Sequence, residues 1–389
     1  MKKRIAIVNQ RYGAEVNGGS EYYTKKLAEH LTPYYNIEVL TTTAKDYDTW
    51  ANYYPGGQQT VNGVAVRRFA VEKQRNIIEF RIVDKLFRIF PGLWKIFEPL
   101  WIKTQGPYCP KLIRYIRANK DEFDVFIFMT YLYYTTVVGL PEVAEKAIFV
   151  PTAHDESYIY FHAYRKLFQE AKALVYLTEE EQDFVQALFK NEGIPHRIAG
   201  SGVDIPEMVD IDGFRSKYQI DSNYVIYVGR VDTGKNCDEL FEFFARFNET
   251  RANQITLVVV GKLMMEKPEC GAIRILGYIP EADKYSAIAG ARALIMPSAH
   301  ESLSLVVLEA MALGVPVVVN GACEVLEGHC RKSNAGICYN SYAEFALGLD
   351  LLFSDIEGYH AMRGLGIRYV KENYNWNETV EKYRQLIEK

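Results

Sequence analysis

The sequence is short of several patterns that would settle a function at once. It has no run of the ~18 or more apolar residues that a membrane-spanning helix needs. Its basic start, MKKRIAIVNQ, carries only the short apolar run Ile5–Val8, against the ~7–15 residues of a signal-peptide core, so the expected location is cytoplasmic. Cysteine is sparse: six residues, at 109, 237, 270, 323, 330 and 338, with no C-x-x-C pair. That spacing excludes zinc-ribbon and thioredoxin-like readings, and scattered thiols suit a reducing compartment. Cys323, His329, Cys330 and Cys338 crowd together in sequence but fit no zinc pattern. Neither G-x-G-x-x-G after a first strand nor the Walker pattern G-x-x-x-x-G-K-[ST] is present. Both absences speak against nicotinamide, flavin and P-loop enzymes. An excess of one charge is lacking too. The 45 Lys+Arg and 49 Asp+Glu leave a formal net charge of -4, which gives no basis for binding nucleic acid.

What is present is ordinary globular material for two or three domains in 389 residues. Hydrophobic residues are 49% and aromatics 13%, with 28 Tyr and 20 Phe, enough for large cores. Charge is uneven along the chain. Residues 1–200 hold 26 basic and 23 acidic residues, and the remainder holds 19 and 26, so the halves are expected to face different partners.

Strand and helix signals alternate, then start again. Ile5–Val8, Ile37–Thr41, Val64–Phe69, Val125–Met129 and Ala147–Pro151 read as strands, with a helix over 20–31 carrying Tyr23, Leu27 and Leu31 four apart. After the Gly-, Pro- and Asp-rich stretch between Gly200 and Asn223, the pattern repeats. Tyr224–Val228, Ile255–Val260, Ile273–Leu276, Ala293–Met296 and Val315–Val319 are strands, and 236–247 is a helix. Alternation of this kind predicts α/β units with parallel sheets, here two doubly wound units in succession. Ligands in such sheets sit beyond the carboxyl ends of the strands, and with two sheets the natural site is the cleft between them.

Three constellations sit at such ends. Gly18-Gly19-Ser20-Glu21 joins the first strand to the first helix. Glycine permits close backbone approach, Ser20 is a good N-cap, and the helix start suits an anion; the alternative is a plain capped turn. Gly229-Arg230, with Lys235 following, puts two cations beside a tight turn, suited to a diphosphate unless the loop is merely solvated. Glu301 lies just before, and Glu309 one to two turns inside, a helix expected to start near Ser304 and end at Leu313, with Gly314 as its C′ residue. Backbone N–H groups of Ser304 and Leu305 would face an anion, and a carboxylate accepts from adjacent sugar or ribose hydroxyls; the alternative is two solvated charges. His154, in Pro151-Thr-Ala-His-Asp155, follows another strand; a lone His is otherwise a satisfied structural residue. Asp46-Tyr-Asp48 and Asp210-Ile-Asp212 read as turn formers.

Together and in order, Gly-Gly-x-Glu, Gly-Arg…Lys and Glu-x7-Glu beside a Pro-Ser turn resemble the retaining, nucleotide-sugar-dependent glycosyltransferases of family 4 (glycosyl transferases group 1), over nearly the whole chain. The resemblance implies the GT-B fold, two Rossmann-like domains facing across a cleft that closes on the donor. It implies an acceptor-side domain over 1–200, onto which the helix 374–389 packs back, and a nucleotide-sugar domain over 201–373. It implies a hexosyltransferase-type enzyme with a nucleoside diphosphate sugar as donor. Gly18 and Gly19 would approach the diphosphate, Gly229 would form the turn beside it, and Arg230 and Lys235 would neutralise it. Glu301 would hold the transferred sugar, the Ser304 and Leu305 amides phosphate, and Glu309 the ribose. His154 matches the family's active-site histidine. The resemblance implies no obligatory metal and no further cofactor. The acceptor would be a sugar, glycan or lipid-linked hydroxyl in bacterial surface glycan or glycolipid synthesis. This chain has Glu301-Ser302-Leu303-Ser304 where many members have Glu-Gly-Phe-Gly, and Gly261-Lys262 lacks a second glycine. A sugar-nucleotide isomerase or epimerase of the same fold, or an inactive sugar-nucleotide-binding module, are the alternatives.

One segment is set apart by charge. Residues 73–117 carry ten basic and three acidic residues, interleaved with Phe80, Phe87, Phe90, Leu93, Trp94, Phe97 and Trp101. Cations among aromatics suit peripheral contact with an anionic membrane, beside which a lipid-linked acceptor would lie. The plainer reading packs the aromatics into the domain core and leaves the cations in water.

Overall fold

Uninterrupted runs of Val, Ile and Phe cannot sit half in water, and in the computed structural model they form strands buried on both faces. The structure describes residues 2–16, 18–89, 94–249 and 254–389, with the side chains of Phe87, Arg88, Trp94 and Lys95 outside that description. The chain divides into two units, Met1–Gly200 with Trp376–Lys389, and Ser201–Asn375.

The first unit is built on eight strands: β1 (Arg4–Val8), β2 (Asn36–Thr42), β3 (Gly57–Val61), β4 (Val64–Phe69), β5 (Val125–Met129), β6 (Ala147–Val150), β7 (Ala173–Tyr176) and β8 (His196–Ile198). Their order is β3-β4-β2-β1-β5-β6-β7-β8, parallel except for the β3–β4 hairpin. Ile5 lies between Ile37 and Val125 in register, and Val8 between Leu40 and Phe128, so these positions of the central strand have apolar neighbours on both sides. The second unit has six parallel strands, β9 (Tyr224–Val228), β10 (Thr256–Val260), β11 (Ile273–Gly277), β12 (Leu294–Met296), β13 (Val317–Asn320) and β14 (Gly336–Tyr339), ordered β11-β10-β9-β12-β13-β14.

The sequence reading omits β3, β7, β8 and β14. β8 is three residues long, and β14 lies in the cysteine-bearing segment 323–338. There His329 is a core residue. Its Nε2 donates to the Leu303 carbonyl at 2.8 Å, and its Nδ1 lies 3.0 Å from the Tyr369 hydroxyl, which serves as donor to it. All six cysteines are free thiols. Asp46 acts as a turn former, its Oδ1 accepting from the Thr49 amide, whereas Asp210 caps the helix Ile211–Tyr218, its Oδ1 accepting from the Gly213 amide.

The helix Trp376–Ile387 buries Trp376, Val380, Tyr383 and Ile387, the face its fourfold and threefold spacing indicates. It packs on the helix Gly19–Leu31, where the Tyr23 and Tyr383 hydroxyls share a 3.0 Å hydrogen bond and His30 stacks on Trp376.

The membrane reading of 73–117 needs correction in its aromatic part. The helices Ile77–Ile89 and Trp94–Gln105 turn Phe80, Phe97 and Trp101 inward against the core, because large rings gain most from leaving water. Trp101 lies 4.7 Å from the Tyr158 ring and is nearly perpendicular to Phe161. Phe90 and Leu93 lie outside the described residues, as do the Phe87 and Trp94 side chains.

Candidate functional site

Each sheet reverses its strand order at one place, between β1 and β5 in the first unit and between β9 and β12 in the second. At such a point the loops leave in opposite directions and open a crevice beyond the strand ends. The residues singled out in the sequence lie at these two points or on the elements beside them.

In the second unit, β9 runs into Gly229 and Arg230. Gly261, at the end of β10, has φ 141°, and a Cβ there would collide with the Gly229 carbonyl. The two strand ends can approach only because this position is glycine. Asp232 then ties the turn together. Its Oδ1 accepts from the Lys235 amide at 3.0 Å, and its Oδ2 pairs with Arg230 Nε. Lys235 Nζ reaches Glu301 Oε1 at 2.7 Å, so the cation from the β9 loop meets the carboxylate from the β12 loop. Ser298, fully buried behind them, lies 3.5 Å from the same ammonium.

The loop from Pro297 to Ser304 is held from outside. Asn320 Nδ2 donates to the Pro297 carbonyl at 2.9 Å, and His329 holds the Leu303 carbonyl. Ser304 sits in the left-handed region at φ 59° and caps the helix Leu305–Ala312. Its buried Oγ has no hydrogen-bond partner among the described residues. The Val307 and Leu308 N–H groups donate to the Ser304 carbonyl, whereas an N–H at the very start of a helix, here that of Leu305, has no intrahelical acceptor. The helix ends at Leu313, and Gly314 follows at φ 69°, a left-handed C′ glycine.

Glu309 is buried rather than solvated. Lys284 Nζ donates to both of its oxygens, at 2.8 and 2.9 Å, and the Tyr285 hydroxyl donates at 3.2 Å. Sequence reasoning missed Lys284, Tyr285, Asp232 and His329. The first two lie on the helix Glu281–Ala289, remote in sequence from Glu309. The Asp-x-x-Lys spacing of a turn cap was a legible sign for Asp232 alone.

In the first unit, Ser20 is not the N-cap. The helix begins one residue earlier, with Gly18 as cap, and Ser20 Oγ donates to Glu21 Oε2 at 3.0 Å. Glu21 is the anchor of the turn. It pairs with buried Arg11 at 2.7 Å and accepts from Gln10 Nε2 at 2.9 Å. A Cβ on Gly18 would collide with the Glu21 carboxylate, whereas one on Gly19 would meet open space. Gly19 therefore marks where a ligand could reach the backbone.

His154 lines a cavity of about 150 Å³ with Thr130, Tyr131, Leu132, Tyr133, Thr152 and Glu156. Thr130 and Thr152, just beyond β5 and β6, have φ of 61° and 51°. β-branched residues rarely adopt that region, and such strain gathers at functional sites. The Tyr131 hydroxyl donates to Glu156, and burial raises its pKa well above the usual tyrosine value. The backbone leading to His154 is fixed by Glu181, whose two oxygens accept from the Ala153 and Leu177 amides at 2.6 Å each. Burial pushes the Glu181 carboxyl up to about 8, against the opposing pull of those two N–H groups.

Residues 210–369 match the family model described as Glycosyl transferases group 1. Over 122 residues it is 30% identical to O-antigen chain mannosyltransferase B of Escherichia coli, covering 28% of this chain and 32% of that protein. The chain spans about a third of that relative's length. Sucrose-phosphate synthase from Thermosynechococcus elongatus superposes with a TM-score of 0.72 at 16% identity, over 99% of this chain and 98% of that one. Anabaena HepE, solved with UDP and glucose, superposes with a TM-score of 0.72 at 14% identity, over 98% of both chains. At such identities the likeness is one of fold, and the fold is GT-B, two Rossmann-like α/β units with parallel sheets.

Proposed function

We propose that this chain is a retaining glycosyltransferase of family 4 that moves a sugar from a nucleoside diphosphate sugar to an acceptor hydroxyl in the cytoplasm. The observation that carries the reading is the meeting of Lys235 with Glu301 at the switch point of the second sheet. An ammonium there suits a diphosphate, a carboxylate suits sugar hydroxyls, and without donor each neutralises the other. Donor binding exchanges these partners. The diphosphate takes Arg230 and Lys235 beside the Gly229 turn, and Glu301 turns to hydroxyls of the transferred sugar. The amides of Ser304 and Leu305 receive phosphate oxygen at the helix start. Glu309, already fixed by Lys284 and Tyr285, accepts from the ribose. Gly18 and Gly19 admit the diphosphate close to the backbone, and His154 with its cavity serves the transferred sugar.

Departure of the leaving group dominates the barrier. Positive charge grows on the sugar ring and negative charge on the diphosphate, so preorganised cations and amides favour the transition state over the ground state. Attack from the same face, assisted by the departing phosphate, gives retention without a carboxylate nucleophile. Neutralisation by Arg230 and Lys235 needs no divalent metal. The group 1 match over 210–369 supports the transfer reaction, and the UDP in the HepE structure supports the nucleotide-sugar donor. The O-antigen relative supports an acceptor in bacterial surface glycan or glycolipid synthesis.

The test is a thermal-shift screen with UDP, GDP, ADP and their sugars, followed by product analysis with the donor that stabilises. A ligand at 100 times its Kd adds about 2.7 kcal/mol, a readily measured change. Transferred or hydrolysed sugar is the expected product. An epimerised donor would make the chain an isomerase, and binding without turnover would make it a binding module.

A further inference from the structure

With Phe80, Phe97 and Trp101 turned inward, the outer face described for the two helices Ile77–Ile89 and Trp94–Gln105 is left to other residues. On the first helix those are Ile78, Ile82, Leu86 and Ile89; on the second, Ile96 and Leu100. All six are between 41% and 71% exposed. At about 100° per residue, the four on the first helix fall within an arc of roughly 80°, one continuous aliphatic stripe. Large aliphatic side chains gathered on one exposed face call for a partner, whereas scattered ones do not.

The charges beside the stripe say which partner. Exposed Arg81 and Lys85 flank it on the first helix, and exposed Lys103 extends the Ile96–Leu100 face of the second. The three acids of the segment are engaged elsewhere. Glu98 is buried and accepts from the amides of His162 and Ala163. Asp84 accepts from the Trp101 indole at 3.1 Å and the Tyr158 hydroxyl at 2.8 Å. Glu79 pairs with Lys73 at 2.9 Å. The face thus presents aliphatic side chains and cations together.

We propose that this helical pair lays its isoleucine stripe into an anionic lipid bilayer, with Arg81, Lys85 and Lys103 at the level of the headgroups. A helix with this division of faces lies in the plane of the interface, its aliphatic side below the headgroups and its long cations reaching up to them. A second copy of the chain would set like cations against one another across a symmetric contact, whereas an anionic surface neutralises them. The inference goes beyond the glycosyl-transfer reading and stands or falls without it, because it needs neither donor nor acceptor.

The experiment is co-sedimentation of the full chain with phosphatidylcholine vesicles, with and without phosphatidylglycerol, at low and high salt. Sedimentation velocity without lipid reports self-association. Binding is expected only to vesicles containing phosphatidylglycerol, and weaker at high salt. Ile78→Ser with Ile82→Ser is expected to lower the vesicle partition coefficient roughly tenfold or more. Arg81→Glu with Lys85→Glu is expected to do the same at low salt. These positions are exposed, so both variants should fold, which circular dichroism checks. Absence of binding at low salt, or binding that either variant leaves unchanged, overturns the proposal. So does a dimer in lipid-free solution that the serine variant dissolves, since the stripe would then belong to a second copy.

Discussion

Lys235 and Arg230 make the sharpest demand on single residues. Both are tied to carboxylates of their own unit, Lys235 to Glu301 and Arg230 to Asp232, and neither anchors a core. Lys235→Ala and Arg230→Ala are each expected to lower turnover by about 10²–10³, as loss of one preorganised group does, while the melting temperature stays close to that of the parent. A Lys235→Ala chain that turns over normally would remove the cation from the mechanism. Glu181 makes a different demand. Its carboxyl titrates near 8 when folded, against about 4.5 ordinarily. Between those values the folded chain holds a proton that the unfolded chain has released, so stability falls as pH rises through the window. The Tm difference between parent and Glu181→Gln should therefore move in favour of the variant from pH 5 to pH 8. A difference that stays flat would mean that Glu181 is charged throughout. The sequence could mark Arg230 and Lys235 as charges beside a glycine turn, and Glu301 and Glu309 by their Glu-x7-Glu spacing around a helix start. It could not mark Glu181 or His329, whose work is to hold backbone of a segment distant in sequence.

Elements were legible in proportion to their length and apolarity. β5 and β9 are unbroken apolar runs, and β1 is one after Arg4, visible without a structure. The β3–β4 hairpin was missed although its turn was written plainly. Asn62 and Gly63 have φ of 50° and 79°, the left-handed pair that an Asn-Gly turn supplies. What hid β3 was its composition, Gly-Gln-Gln-Thr-Val, an exposed edge with little to bury. β14, Gly-Ile-Cys-Tyr, was hidden by its shortness, four residues with a single isoleucine to mark an apolar run. The join between β9 and β10 carries the prediction at this scale. Gly261→Ala would force its Cβ against the Gly229 carbonyl in a backbone region that favours glycine. The expected cost is about 1–3 kcal/mol in urea unfolding, with weakened nucleoside diphosphate binding because the Gly229–Arg230 turn is displaced. Gly271→Ala has open space around its Cβ and is the matched control, expected to stay within about 0.5 kcal/mol. Equal stability of the two variants would show that the strand ends have room to spare.

At the scale of the molecule, the chain leaves its first unit at Gly200 and returns at Trp376, so the second unit is an insertion into the first. The fourfold spacing of Trp376 and Val380 made the returning helix legible, because it needed an apolar partner and had none nearby in sequence. Not legible was that each switch point would collect its own set of groups: a cation–carboxylate pair in the second unit, strained threonines and a histidine in the first. That division predicts where a nucleotide should be felt. Apart from the backbone approach at Gly18 and Gly19, diphosphate and ribose groups are assigned to Arg230, Lys235, Ser304, Leu305 and Glu309, which lie within Ser201–Asn375. Hydrogen exchange of the full chain with the nucleoside diphosphate that stabilises it should therefore slow amides at 229–235 and 303–309. Amides of β14 and of the helix Tyr342–Ser354, at the sheet edge away from the β9–β12 switch point, serve as the internal reference. Local opening rather than global unfolding governs such loops, so protection should rise there even if Tm moves little. Glu309→Gln should reduce that protection in the Leu305–Ala312 helix more than at 229–235, because it removes the ribose acceptor and leaves the diphosphate cations in place. Loss of protection at both places alike would give Glu309 a structural role through Lys284 and Tyr285, and protection confined to 130–156 would move the nucleotide to the first unit.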